Sequence, residues 1–318
     1  MQTNAKTNRR RLCGLLAAVS SVMAAGPGGP LTSRADVVFD EYSPYHHVRV
    51  EDQRGLRTLL FNTAQESRMS LADPLKGHFE YTEYFHMPLI WKPDARRVLL
   101  LGLGGGSIQR SFLHYYTNMM IETVELDPLV VKVASNYFGV KESPRHKIHL
   151  DDGRVFVHRS RATYDLMILD AYTTTRYGSS IPPQLTTKEF FTLASERLGT
   201  NGVLAYNVIG QMQGLGQNLM GSIYRTMKKV FPHVYLFPSS STWNVVLVAT
   251  KSKESYDSFR VQQIGTQLVL ARRVTFPMFS TRLHAFQATP PKNFATSPIL
   301  TDDQAPVERL SGGTPAKK

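Results

Sequence analysis

A short apolar run that ends in a glycine-rich loop constrains the fold of this chain more than any other feature. Residues 98–101 (VLLL) are all apolar, which is typical of a strand buried on both faces in a parallel sheet. The loop 102–107 (GLGGGS) follows directly, and a helical pattern begins after it. This strand, loop and helix predict the first unit of a doubly wound α/β sheet, with the loop at the edge where ligands bind.

Strand-length apolar runs alternate with helical patterns after this loop. Helical patterns occupy 127–139, 186–198 and a region around 216–230. The predicted strands among and after them lie at 121–126, 147–153, 164–172, 202–210, 233–237 and 244–250. Since parallel strands are usually joined by helices, this order predicts a mostly parallel, doubly wound sheet within residues 91–310.

The segment before the glycine loop has a different pattern. Residues 36–61 alternate around turn residues, which is typical of a small antiparallel sheet. Residues 80–92 show mixed helical spacing, so we expect a helix that leads into the second domain. The predicted organisation is a β domain at 36–90, the doubly wound domain at 91–310 and a flexible tail at 311–318.

The N-terminal 25 residues have the pattern of a signal peptide. Arginines at 9–11 precede an apolar stretch at 12–25, and a Gly/Pro-rich turn follows. This stretch is shorter than the roughly 20 residues that a membrane span needs. We therefore expect no membrane span in the mature chain and an extracytoplasmic or membrane-associated protein. The alternative is a disordered basic tail on a cytoplasmic protein.

The net charge of +12 does not require a nucleic-acid partner. Seven of the 37 basic residues, and none of the 25 acidic ones, lie in the terminal segments 1–34 and 311–318. The rest of the chain carries 30 basic and 25 acidic residues, a balance typical of a solvated surface. The hydrophobic content of 42% also excludes wholesale disorder, collagen and coiled coil.

Cysteine and histidine patterns exclude several classes of site. The single cysteine, Cys13, lies in the N-terminal apolar stretch, so the body of the chain has no intrachain disulfide, cysteine zinc site or thiol nucleophile. The ten histidines show no metal-ligand spacing; His46 and His47, for example, point to opposite faces of a predicted strand. We expect no metal, and the lack of a Gly-x-Ser-x-Gly motif argues against a serine hydrolase.

Acidic side chains follow three of the predicted strands, at the edge where the carboxyl ends of a parallel sheet meet. Glu125 lies 23 residues after Gly102, a spacing that suits hydrogen bonds from both ribose hydroxyls of a nucleoside. Asp152 and Gly153 follow the third strand, although Asp152 also suits a helix N-cap. Ser107 stands at the sixth loop position instead of glycine or alanine, which disfavours NAD.

Asp170 is our candidate catalytic residue, because it is the first polar group after a buried strand pattern. The loop 171–185 that follows is long, polar and punctuated by Pro and Gly, as expected of a mobile gate over a pocket. The alternative for Asp170 is a hydrogen bond within its own loop. For the glycine loop, the alternative is that its glycines only form a turn and bind no ligand.

Together, these motifs resemble the spermidine synthase (polyamine aminopropyltransferase) family over about residues 36–250. Within that family, they resemble a divergent spermidine synthase-like bacterial branch. Besides the glycine loop, the likeness rests on Gln65, Tyr81, Thr82, Glu83, 124–127 (VELD), 151–153 (DDG) and Asp170. The segment 300–307 (LTDDQAPV) is similar to the bacterial branch, with a solvated tail as the alternative for Asp302 and Asp303.

The resemblance implies a small β domain on a Rossmann-like, methyltransferase-type doubly wound sheet, and hence an α/β fold. It implies transfer of an aminopropyl group from decarboxylated S-adenosylmethionine to putrescine or a similar amine, by a homo-oligomer such as a dimer. Asp170 would be catalytic and Tyr81, Glu83 and Tyr172 would face the amine. The donor would be bound by Gln65, Gly102, Gly104, Gly106, Glu125, Asp152 and Gly153. The alternative for Tyr172 is that it only packs in the core. The alternative for Glu83 is an ion pair with a surface arginine.

Three departures from the family pattern keep other functions open. By resemblance, Ser107 and Thr173 stand where the family carries aspartates, and Thr82 replaces a histidine. An acid in the loop would repel the carboxylate of intact S-adenosylmethionine, and Ser107 removes that repulsion. An S-adenosylmethionine-dependent methyltransferase and a non-catalytic binding protein are therefore the two alternatives to an aminopropyltransferase.

Overall fold

Two β-sheets and their covering helices make up the computed structural model, which describes residues 35–175, 178–210, 212 and 217–311. The predicted signal peptide at 1–25 lies outside the described residues. The same holds for 312–318 of the predicted tail and for 176–177 of the predicted gate loop.

The smaller sheet is antiparallel and has four strands in the order β1-β2-β3-β4. These strands are β1 (Asp36–Tyr42), β2 (His47–Gln53), β3 (Leu56–Phe61) and β4 (Ala64–Ser70). The β2–β3 turn has positive φ at Arg54 and Gly55, the geometry that matches the twist of a tight hairpin. The sequence patterns predicted strands up to residue 61 and missed β4.

The larger sheet has seven strands in the order β12-β13-β11-β8-β5-β6-β7. Neighbouring strands from β11 to β7 are parallel, and β13 and β12 are added antiparallel at one edge. The strands are β5 (Arg97–Leu101), β6 (Met120–Glu125), β7 (His146–Leu150), β8 (Tyr164–Leu169), β11 (Leu198–Ile209), β12 (His233–Pro238) and β13 (Asn244–Thr250). The predicted mostly parallel, doubly wound sheet is confirmed.

A short hairpin and a set of helices connect these strands. The hairpin, β9 (Thr173–Thr175) with β10 (Gly178–Ser180), forms part of the predicted gate loop. The α-helices are α1 (Ser107–Tyr115), α2 (Pro128–Phe138), α3 (Gly153–Arg159), α4 (Lys188–Arg197), α5 (Gln217–Met227), α6 (Ser258–Leu270), α7 (Phe279–Arg282) and α8 (Val307–Leu310). A long 3₁₀ helix covers Glu80–Ile90, and two short ones cover Pro183–Leu185 and Leu283–Ala285.

Local sequence explains how α2 begins and ends. The Asp127 side chain accepts a hydrogen bond from the Leu129 N–H at 2.8 Å, and Pro128 occupies the first helical position, where its missing N–H costs nothing. Gly139 ends the helix in the left-handed region, with φ of 67°, a conformation that glycine adopts without strain.

The small sheet packs against α2 and the glycine loop. Its buried side chains Val48, Val50 and Leu59 share one apolar cluster with Val130 and Phe138 of α2. Two further clusters cover the two faces of the large sheet. This packing brings β4 next to the carboxyl ends of β5, β6 and β8.

No helix among the residues that the structure describes is long and apolar enough to cross a membrane. Within the same residues, no group of three or more His, Cys, Asp or Glu side chains is placed to hold a metal ion.

Candidate active site

The main cavity of the described residues lies where β5, β6 and β8 end, and β4 and the 3₁₀ helix Glu80–Ile90 close its other side. Most of the residues predicted from the sequence line it: Tyr81, Gly102, Gly104, Glu125, Asp152, Gly153, Asp170 and Tyr172. Gln65, Glu83 and Gly106 do not line it. The structure therefore brings the strand-end acids together, as a parallel sheet requires.

At two positions of the glycine loop, neighbouring atoms lie very close to where a Cβ atom would be. Gly102 has φ of 102°, and a Cβ there would lie 2.3 Å from the backbone oxygen of Asp170. Gly104 has φ of 50°, and its Cβ would lie 2.7 Å from the Ser67 hydroxyl. Both positions have a left-handed backbone, which glycine adopts without strain. At Gly102 the close atoms belong to the backbone, whereas at Gly104 the Ser67 hydroxyl would have to move. The loop thus passes directly beside Asp170 and against β4.

Glu125 is oriented by backbone groups at the rim of the cavity. One carboxylate oxygen accepts from the Leu103 N–H and the other from the Asp127 N–H, both at 2.9 Å. Burial raises the pKa of Glu125, and these hydrogen bonds oppose the shift. A carboxylate has about four acceptor sites, so Glu125 retains acceptor capacity that a ligand's hydroxyl groups can use.

Asp152 serves as a helix cap and lines the cavity at the same time. Its side chain accepts from the Val155 N–H at 2.9 Å, at the start of α3. Its neighbour Asp151, which also lines the cavity, accepts from the Asp152 N–H at 2.9 Å. The cap that the sequence offered as an alternative is therefore compatible with contact to a ligand.

Asp170 has two side-chain donors. The Tyr81 hydroxyl donates to Oδ2 at 3.3 Å, and Asn207 Nδ2 donates to Oδ1 at 2.8 Å. Asn207, 1% exposed, is itself oriented by Asn244, whose Nδ2 donates to Asn207 Oδ1 at 3.0 Å. Burial raises the pKa of Asp170 to about 6, and the two hydrogen bonds limit the rise. Such a carboxylate is ionised at neutral pH and is a better proton acceptor than an exposed one.

Tyr172 combines packing with a place in the cavity wall. Its hydroxyl donates to the backbone oxygen of Asn207 at 2.7 Å, and its ring packs on the apolar cluster of the large sheet. The side chain also lines the cavity beside Asp170. The packing interpretation therefore describes this residue in the structure, and its contact with the amine stays a prediction.

Glu83 lies away from the main cavity and has other partners. Its carboxylate accepts from Arg282 Nε at 2.5 Å and lies 2.9 Å from His78 Nε2. These groups hold the pKa of Glu83 below its usual value despite the opposing effect of burial. The arginine pairing, which the sequence left as an alternative, is the arrangement that the structure contains.

The three positions that depart from the family pattern are polar. Ser107 is the first residue of α1 and lines the main cavity, together with Thr82 and Thr173. The Thr82 hydroxyl donates to the Phe79 carbonyl at 2.8 Å, and that of Thr173 donates to the Ser180 carbonyl at 3.3 Å. None of these three positions adds a charge to the cavity.

Sequence reasoning missed Glu66, Ser67 and Asn207. Glu66 and Ser67 line the cavity from β4, and the Ser67 hydroxyl accepts from the Gly105 N–H at 2.8 Å. Asn207 interrupts the apolar run of β11, and a polar residue within such a run is the signal that would have indicated it. The β4 residues gave no comparable signal.

Asp302, in the C-terminal segment, is anchored to the large sheet's helices. Arg154 donates to its two oxygens at 2.7 and 2.5 Å, and Thr187 Oγ1 donates at 2.6 Å. Arg154 also donates to the backbone oxygen of Gln184 at 3.1 Å, and Gln184 lines the cavity. A freely solvated tail is therefore wrong for Asp302.

The fold and the strand-end cavity define an α/β protein with a Rossmann-like sheet and an appended antiparallel sheet. A family model, the spermine/spermidine synthase domain, matches residues 78–258. The chain belongs to the spermine/spermidine synthase family.

Proteins of two kinds are among those similar to this chain. The polyamine aminopropyltransferase of Vibrio vulnificus (strain CMCP6) is 27% identical over 239 residues, 72% of this chain and 77% of that protein. The eEF1A lysine and N-terminal methyltransferase of Xenopus laevis is 31% identical over 178 residues, 54% of this chain and 25% of that protein. The crystal structure of a probable spermidine synthase from Corynebacterium glutamicum has the same fold, with a TM-score of 0.64 and 21% identity over 85% of this chain and 97% of that one.

Proposed function

We propose that the protein transfers an aminopropyl group from decarboxylated S-adenosylmethionine to a polyamine such as putrescine. The observation that carries the proposal is Asp170. Its carboxylate is held by Tyr81 and Asn207 in the same cavity as Glu125. A proton acceptor and a group suited to bind ribose thus share one site. Family membership supports the same reaction class.

The nucleoside part of the donor would lie along the strand ends. Glu125, already oriented by two backbone N–H groups, would accept hydrogen bonds from the two ribose hydroxyls. Asp152 would accept one from the adenine amino group. Apolar side chains that line the cavity, such as Ile108 and Leu185, would cover the faces of the base. This arrangement would direct the sulfonium towards Asp170.

The reaction would be a direct displacement. The lone pair of a neutral amine forms a bond to the carbon next to the sulfonium, and the carbon–sulfur bond breaks with its electrons going to sulfur. Methylthioadenosine leaves, and the new ammonium gives its proton to Asp170. Tyr81, hydrogen-bonded to that carboxylate, would help to orient the amine. Fixing the two reactants in line supplies much of the rate enhancement in reactions of this type.

Methyl transfer from intact S-adenosylmethionine is the second candidate. The observation that favours it is the uncharged Ser107 at the N-terminus of α1, where it lines the cavity. A helix N-terminus attracts a carboxylate, and the glycine loop carries no acid to repel one. The similarity to the Xenopus laevis methyltransferase is in keeping with this candidate.

Product analysis separates the two candidates. With decarboxylated S-adenosylmethionine and putrescine, spermidine or cadaverine, we expect methylthioadenosine and an aminopropylated amine in equal amounts. Replacement of the donor by intact S-adenosylmethionine should give no S-adenosylhomocysteine, and calorimetry should show tighter binding of the decarboxylated donor. S-adenosylhomocysteine release would instead establish the methyltransferase. Tight nucleoside binding without turnover of any amine would indicate a non-catalytic protein.

A further inference from the structure

Glu66 enters the cavity because of a β-bulge in β4. Leu59 of β3 pairs with Ser67, whereas its neighbour Leu60 pairs with Gln65, so Glu66 is the extra residue between them. A bulge changes the direction of side chains at that point in a strand. As a result, Glu66 and Ser67 both line the cavity, while Gln65 is exposed on the outside of the sheet.

The Glu66 carboxylate is half-buried and has one hydroxyl partner in the described part of the chain. Ser179 of β10 donates from Oγ to Glu66 Oε1 at 2.7 Å. No lysine, arginine or histidine among the described residues lies within ion-pair distance of Glu66. A carboxylate offers about four acceptor sites, so the side chain retains acceptor capacity towards the cavity.

The charge of Asp170 acts on Glu66 within the cavity. Burial raises the pKa of Glu66 to about 7, and the charge of Asp170 adds to this shift, against the effect of the Ser179 hydrogen bond. Burial, and then the charges of Asp170 and Glu66, also raise the pKa of Tyr81. Two neighbouring carboxylates in an enclosed site repel each other, and a cation bound between them removes that cost.

We infer that Glu66 is the second carboxylate of a cation site in this cavity, and that together with Asp170 it binds an aliphatic primary ammonium group. Tyr81 and Tyr172, which line the same region, supply aromatic walls of the kind that favour a cation. The inference rests on the proposed function, whose acceptor and donor both carry such a group: the polyamine, and the aminopropyl chain of decarboxylated S-adenosylmethionine. Methylthioadenosine has the same nucleoside and no ammonium.

The Glu66→Gln variant tests this inference by calorimetry with three ligands. The substitution keeps the shape and the hydrogen bond from Ser179 and removes the charge. We expect binding of an ammonium ligand to weaken by about 10- to 100-fold, the range of a charge-assisted hydrogen bond, with methylthioadenosine binding unchanged within about twofold. A loss confined to putrescine, titrated into protein saturated with methylthioadenosine, assigns the site to the acceptor. A loss confined to decarboxylated S-adenosylmethionine assigns it to the donor.

Glu41→Gln is the matched control, because it removes a carboxylate from the same small sheet, at a residue that pairs with Lys132 and does not line the cavity. It should leave all three affinities unchanged, and thermal unfolding of both variants checks that they fold. The inference is overturned if the Glu66→Gln variant binds both ammonium ligands as tightly as the wild type, or loses methylthioadenosine to the same extent. A wild-type protein that binds methylthioadenosine but neither ammonium ligand overturns the proposed function as well.

Discussion

The Asp170→Asn variant is expected to lose about 1000-fold in kcat while it keeps its affinity for methylthioadenosine, since positioned general bases contribute factors of about 100 to 10,000. The asparagine retains an oxygen for the Asn207 donor and an amide that can donate to Tyr81, so the geometry around residue 170 should be preserved. What disappears is the proton acceptor. Steady-state kinetics with saturating donor, together with calorimetry, measure the two effects separately.

The pH profile separates Asp170 from the amine's own ionisation. Because burial raises the pKa of Asp170 to about 6, the carboxylate is protonated below that pH and cannot accept a proton. The amine must also lose a proton, so the rate rises with pH throughout. We expect the slope of log kcat/KM against pH to steepen below about 6 in the wild type and not in Asp170→Asn. Because the charge of Asp170 also raises the pKa of Glu66, the profile is measured in Glu66→Gln as well, where the steepening below about pH 6 should persist. Equal slopes in the wild type and Asp170→Asn, or full activity of Asp170→Asn, would contradict the assignment.

The Glu125→Ala variant should weaken methylthioadenosine binding by about 100-fold or more, since a hydrogen bond to a charged group contributes about 1.5 to 3 kcal/mol and the variant loses two. Calorimetry with methylthioadenosine measures this directly. Loss of the carboxylate also leaves the Leu103 and Asp127 N–H groups without their partner, so thermal unfolding must accompany the titration.

Glu122→Ala is the matched control for Glu125→Ala. Glu122 lies in the same strand, its carboxylate contacts Arg97 and His149, and it does not line the cavity. We expect its removal to leave the affinity for methylthioadenosine unchanged. Equal affinities in the wild type and Glu125→Ala would mean that Glu125 does not hold the ribose.

The strand-end acids were predictable because a parallel sheet leaves little freedom. Once the apolar runs are identified as parallel strands, Glu125, Asp152 and Asp170 must meet at one edge. The order of the strands in the sheet then places Glu125 and Asp170 on either side of the glycine loop. The fold class and the placement of these three side chains therefore follow from local pattern together with one rule of topology.

The contribution of β4 was not predictable in the same way. Side chains alternate between the two faces of a strand, so a one-residue change of register exchanges the faces. The family resemblance implied Gln65 as one of the donor-binding residues, whereas the bulge leaves Gln65 exposed and turns Glu66 into the cavity. Such a bulge has no clear signal in a single sequence.

Ion pairs between residues far apart in the sequence were also not predictable. Glu83 pairs with Arg282 and Asp302 with Arg154, and both pairs join segments that no local pattern connects. Since several other acids and bases are equally available to each of these residues, charge complementarity alone does not select the partner. The packing of the elements decides it.

A crystal structure of the protein with methylthioadenosine and putrescine tests most directly whether an adenosyl compound occupies the strand-end cavity. We predict both ribose hydroxyls within hydrogen-bond distance of the Glu125 carboxylate, and the sulfur facing Asp170 with an amine nitrogen of putrescine between them. A nucleoside bound elsewhere, or bound with its ribose away from Glu125, would contradict the proposed function.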